Sequence, residues 1–76
     1  MRSKRGASTN RLTYAVFTDG EAQALRAIVA RCGGKMGALR RLRVGENTLE
    51  AGLYQSRMLP ATKARLLDAM AREVTP

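Results

Sequence analysis

The 76-residue chain has no histidine, no tryptophan and a single cysteine, and it sets only six acidic residues against fourteen basic ones. Without histidine it lacks the commonest general base and the commonest protein metal ligand. Cys32 stands alone, which excludes an internal disulfide and any cysteine-based zinc site. The acids Asp19, Glu21, Glu46, Glu50, Asp68 and Glu73 are scattered, and none forms an acid/base pair in sequence. No enzymatic activity, metal or cofactor is therefore expected. No apolar run approaches the length of a membrane span, and none follows the basic start as a signal peptide would. The expectation is a protein of the reducing cytoplasm without membrane attachment. Gly33-Gly34-Lys35 lacks Walker A spacing and is not read as a phosphate loop.

What the chain does have is positive charge: +8 formal, with an isoelectric point near 11.1. That excess favours a polyanionic partner, nucleic acid first and an anionic membrane surface second. Aromatics are limited to Tyr14, Phe17 and Tyr54, too few for a base-stacking RNA surface. The length allows one small domain with a modest core, so dimerisation is an expected further source of stability.

Residues 1–10 show no apolar periodicity and read as a flexible basic arm ahead of a domain over 11–76. The arm's Arg2, Lys4 and Arg5, joined by Arg11, suit phosphates or a minor groove. From Arg11 to Thr18, Leu12, Tyr14 and Val16 alternate with Thr13, Ala15 and Phe17, a strand-like pattern. A lone strand needs a partner, which points to the same strand of a second subunit or to something outside the domain. The other reading is an extended arm packed on the helices through Tyr14 and Phe17.

Thr18-Asp19-Gly20-Glu21 has capping-box spacing. The helix behind it places Ala22, Leu25, Ile28, Val29 and Cys32 on one face and stops at Gly33-Gly34. On that apolar stripe Cys32 is expected to pack rather than react. A second helix is expected from about Lys35 to Leu42, and a third from about Glu46 to Gln55. Gly45 supplies the backbone freedom of the turn between them, and Val44 is an apolar plug. Ser56 to Leu59 reads as a loop. Pro60 opens a fourth helix carrying Leu66, Leu67, Met70 and Val74 on one side, with Met58 and Met70 as core filler. The fold class expected is all-α: a small helix-turn-helix domain of about four helices, with an N-terminal basic arm and a short extended segment.

The stretch Leu42-Arg43-Val44-Gly45-Glu46-Asn47-Thr48-Leu49 resembles the helix-turn-helix core of the Cro and phage-repressor type, which typically reads Leu-Gly-Val-Ser-x-x-Thr-Ile/Leu. Leu59-Pro60 and the Leu-rich helix after it resemble the segment C-terminal to that core in the family. Arg43 stands where Gly is usual and Gly45 where Ser is usual. Leu39 takes the place of a small residue, usually Ala, and Gly52 that of an aliphatic core residue.

The resemblance implies a sequence-specific regulator of transcription, such as a repressor, that binds double-stranded DNA as a homodimer and associates with the nucleoid. It places base reading on the first turns of the third helix, at Glu46, Asn47 and Glu50, with Gly45 and Ala51 beside them. Phosphate contacts are expected from Lys35, Arg40, Arg41 and Arg43 around the turn, and from Arg57 behind the third helix. A different register remains open, because Asn47-Thr48-Leu49-Glu50 itself has capping-box spacing, with Asn47 as cap. Two other functions fit parts of the chain. Arg11 to Leu42 resembles a ribbon-helix-helix repressor, although that fold needs a continuous helix where Val44-Gly45 breaks the pattern. A protein-interaction adaptor would use the same helices to hold a protein partner.

Overall fold

The structure, a computed structural model, describes residues 13–74. The arm residues Arg2, Lys4 and Arg5, together with Arg11 and Leu12, lie outside the described residues. Four helices succeed one another: α1 (Asp19–Arg31), α2 (Lys35–Leu42), α3 (Glu46–Leu53) and α4 (Pro60–Val74). The protein is a small all-α domain with almost no strand.

Local sequence chemistry sets the ends of α1. Thr18 Oγ1 accepts from the Glu21 amide at 3.1 Å, and Glu21 Oε1 accepts from the Thr18 amide at 2.8 Å. This reciprocal cap satisfies two donors that the first turn leaves open. At the far end Gly34 N–H donates to Val29 C=O and Gly33 N–H to Ala30 C=O, with Gly33 at φ 81°. That is a Schellman closure, and its left-handed residue is one that glycine supplies without steric cost.

α3 ends the same way but without glycine. Ser56 N–H donates to Ala51 C=O and Gln55 N–H to Gly52 C=O, with Gln55 at φ 56°. The helix therefore stops at Leu53, short of the Gln55 end expected from sequence. The Gln55 side chain is put to use: Nε2 donates to the Phe17 carbonyl at 3.0 Å and to Asp19 Oδ1 at 2.9 Å. It fastens the end of α3 to the entrance of α1.

The left-handed residue of the α2–α3 turn is Arg43 (φ 58°, ψ 45°) and not Gly45, which sits at φ −76° as the N-cap of α3. A left-handed backbone is one that glycine adopts without steric cost and that arginine adopts under strain. Val44 packs against the core beside it, as expected.

Phe17, Leu25, Ile28, Leu49 and Leu66 are the largest fully buried side chains. They bring the entry segment, α1, α3 and α4 into one core, which Ala22, Ala38, Leu42, Met58, Ala69 and Met70 complete. Gly52 is the close-approach point. A Cβ there would lie 2.7 Å from Leu25 Cδ2, 3.0 Å from Leu66 Cδ2 and 3.2 Å from Phe17 Cε2. Leu25, Leu66 and Phe17 together occupy the space that a side chain at position 52 would need. A Cβ on Gly37 would collide with the Cys32 carbonyl, so Gly37 lets the start of α2 lie against the end of α1. α2 and α3 pack mainly on α1 and α4 and little on each other, and Leu39 packs half-buried against the core.

The extended segment finds its partner inside the chain. Ala15 N–H donates to Met58 C=O at 2.7 Å and Met58 N–H to Ala15 C=O at 2.8 Å, an isolated antiparallel bridge. Lys63 Nζ donates to the Val16 carbonyl at 2.8 Å. This corrects the expectation that the segment must pair with another subunit. It is an arm packed on the helices through Phe17, with Tyr14 lying at the surface beneath Arg57. The pairing, together with the break after Leu42, also departs from a ribbon-helix-helix arrangement.

Candidate nucleic-acid interface

The outward face of α3 is set by its helical period. Leu49 and Gly52 are buried. Opposite them lie Asn47 and Tyr54, flanked by Glu50 and Ala51. Asn47 is exposed and makes no capping bond, because α3 starts at Glu46 with Gly45 as its N-cap. The Gly45 register therefore holds over the Asn47 cap. Tyr54 is 71 % exposed at the end of the same stripe.

The two expected acidic readers do not stand free. Lys35 Nζ lies 2.7 Å from Glu50 Oε2 and 3.4 Å from Glu46 Oε2. The hydrogen bond from Lys35 draws the Glu50 carboxyl below its ordinary pKa, and the bond to Glu50 raises that of Lys35. Two acids on a face approaching phosphates would repel them, and Lys35 offsets that charge from the first turn of α2. Lys35 is thus a partner of α3 rather than a free phosphate ligand.

Neighbours separate the other expected phosphate ligands in the same way. Arg41 is drawn to Glu73 of α4 by an ion pair of 2.5 Å. Arg40, Arg43 and Arg57 are exposed and have no carboxylate partner among the described residues. The Arg57 guanidinium carbon stands 5.3 Å from the Tyr14 ring centroid, a cation–π contact that positions it and leaves its N–H groups available.

All six acids lie within the described residues, and five of them are ion-paired: Glu46 and Glu50 with Lys35, Glu21 with Lys63, Asp68 with Arg72, and Glu73 with Arg41. Asp19 accepts from Gln55. The described cations left without a carboxylate are Arg26, Arg31, Arg40, Arg43, Arg57 and Arg65, arginines throughout. Arginine presents a planar fork of donors that matches phosphate oxygens two at a time.

Three features lie beyond the residues that sequence reasoning singles out, two beside the outer face of α3 and one in the fold around it. Tyr54 continues the Asn47 stripe at i+7, a spacing that the helix period makes legible. Arg26 of α1 lines a shallow recess of about 330 Å³ with Val29, Leu53 and Tyr54, and only the crossing of α1 and α3 brings it there. Lys63 binds the Val16 carbonyl and lies 3.1 Å from Glu21, a tertiary contact with no sequence signal.

Comparison with protein-family models, with curated proteins and with solved structures gives no match.

Proposed function

We propose that this protein is a regulator of transcription that binds double-stranded DNA through α2, the turn and α3, with the outer face of α3 in the major groove. The observation that carries the reading is the disposition of charge. Five of the six acids are held in internal ion pairs, and Arg40, Arg43 and Arg57, without a carboxylate partner among the described residues, lie on or beside two short helices joined by a tight turn. In this reading Arg40, Arg43 and Arg57 hold phosphates and Asn47 reads a base edge, adenine by preference. Glu50, steadied by Lys35, keeps acceptor capacity for cytosine N4. Tyr54 and Arg26 extend the contact at the far end of α3.

The reading includes a homodimer on two half-sites, the common arrangement for such motifs. With Ala15 paired internally, support for the dimer comes from the outward side chains Tyr14 and Val16, 48 % and 45 % exposed. A second reading, a protein-interaction adaptor, draws on the apolar groove of about 300 Å³ between α1 and α4, lined by Ala24, Ile28, Leu67, Met70 and Val74 among others.

Titration of a random-sequence duplex at several salt concentrations tests the reading. Affinity should fall linearly on a log–log plot, with a slope of about −0.9 per phosphate contacted. Arg40→Ala should flatten that slope by about one unit. Absence of duplex binding even at low salt would contradict the DNA reading and favour the adaptor.

A further inference from the structure

A partly enclosed cavity of about 150 Å³ lies between the α2–α3 turn and α4. Arg43, Thr48, Thr62 and Arg65 line it, along with the Gly45 backbone and two aliphatic side chains. It is separate from the Asn47–Tyr54 stripe, because Thr48 stands a full helical step around α3 from Asn47.

Its chemistry is one-sided. No carboxylate lines it, and neither Arg43 nor Arg65 is ion-paired among the described residues. Arg43 and Arg65 bring two positive charges to the lining of one small cavity, which favours an anion there. Threonine hydroxyls add donors that rotate to suit a ligand. Gly45 has no side chain to cap α3, and the first intrahelical bond runs from the Leu49 amide to the Gly45 carbonyl. The amides of Glu46, Asn47 and Thr48 therefore have no acceptor within the helix. Of the six described arginines without a carboxylate partner, Arg43 and Arg65 are the two that line this cavity.

We propose that this cavity is a phosphate-binding site, in which Arg43 and Arg65 hold a tetrahedral phosphate oxyanion and Thr48 and Thr62 donate to it. The site stands whether or not α3 enters a DNA groove. The phosphate can belong to a free phosphate species or to a nucleic-acid backbone, and the chemistry of recognition is the same.

Amide chemical shifts of the full chain, titrated with inorganic phosphate and in parallel with sodium chloride at equal ionic strength, test it. Phosphate but not chloride should move the amides of Gly45 and Thr48, which line the cavity, saturably. Arg65→Gln should weaken that response about tenfold or more, as loss of a charge-assisted donor does. Arg31→Gln removes the same charge from an exposed site that does not line the cavity, and should leave the response intact. Thr48→Val, close in shape, is a second variant that keeps the full charge and should also weaken binding.

In a second arm the titrant is a random-sequence duplex. If inorganic phosphate is silent but the duplex moves these amides, and Arg65→Gln flattens the salt slope by about one unit more than Arg31→Gln, the phosphate is that of the backbone. If neither titrant moves them, or if Arg65→Gln and Arg31→Gln behave alike in both arms, the site is refuted. Duplex binding that shifts only the outer face of α3 would refute the site while leaving the proposed function in place.

Discussion

Lys35 Nζ is 2.7 Å from Glu50 Oε2, so the first turn of α2 holds the carboxylate nearest the centre of the outer face of α3. Both groups are substantially exposed, and the pair adds only modestly to folding. Its larger consequence is for the field of the face. Lys35→Met should leave Glu46 and Glu50 uncompensated and weaken binding to a random duplex by more than Arg31→Gln, which removes an equal charge elsewhere. Equal losses in the two variants, measured by fluorescence anisotropy, would show that Lys35 does not screen these acids.

The same pair and the Thr18 cap set a pH dependence. The Thr18 amide, and then Lys63, hold the Glu21 carboxyl below its ordinary range, as Lys35 does for Glu50. Carboxyls with depressed folded-state pKa stabilise above their unfolded value, and that stability is lost as pH falls through the folded one. The melting temperature should therefore drop below about pH 4.5, the ordinary value of these groups. Lys35, shifted upward, contributes below its ordinary value of 10.5 and is lost as pH rises beyond it. Thermal melts across this range should be flat near neutrality and fall at both ends.

Arg43 carries a left-handed backbone at the turn. Arg43→Gly should relieve that conformation and stabilise the fold by about 1 kcal/mol, raising the melting temperature by about 4–8 °C. It should weaken random-duplex binding in the same step, since a cation is lost. A variant that melts lower would contradict the backbone assignment.

Gly52 and Gln55 test the core and its clamp. Gly52→Ala places a methyl group against Leu25, Leu66 and Phe17 and should cost about 1–3 kcal/mol by overpacking. Gln55→Ala keeps the left-handed strain and loses both side-chain bonds, so it should destabilise by about 1–3 kcal/mol. Gln55→Gly loses the same bonds but relaxes the backbone, and should cost less. Denaturant melts of the three variants check the order.

Features governed by neighbours in sequence are legible in advance. The Thr18 cap, the Gly33-Gly34 stop and the bounds of α2 depend on a few adjacent residues, and each is where the sequence pattern puts it. Features that join distant segments are not. The Ala15–Met58 bridge satisfies backbone groups whose partner no local pattern names. The grip of Lys35 on Glu46 and Glu50 joins the start of α2 to the first half of α3, a contact that no local pattern names. Gly45 reads as the strained residue of the turn because glycine tolerates strain, yet the strain falls on Arg43. The α3 stripe is readable at Asn47 and Glu50, and the same period carries it to Tyr54, whereas the approach of Arg26 beside Tyr54 needs the crossing of α1 and α3.

Amide shift mapping of the full chain with a random-sequence duplex tests the central claim, that α2, the turn and α3 dock on DNA, most directly. The account predicts the largest shifts at Asn47, Glu50, Ala51 and Tyr54 and around Arg40 and Arg43, all weakening as salt is raised. Shifts confined to the groove between α1 and α4, or none at low salt, would contradict it.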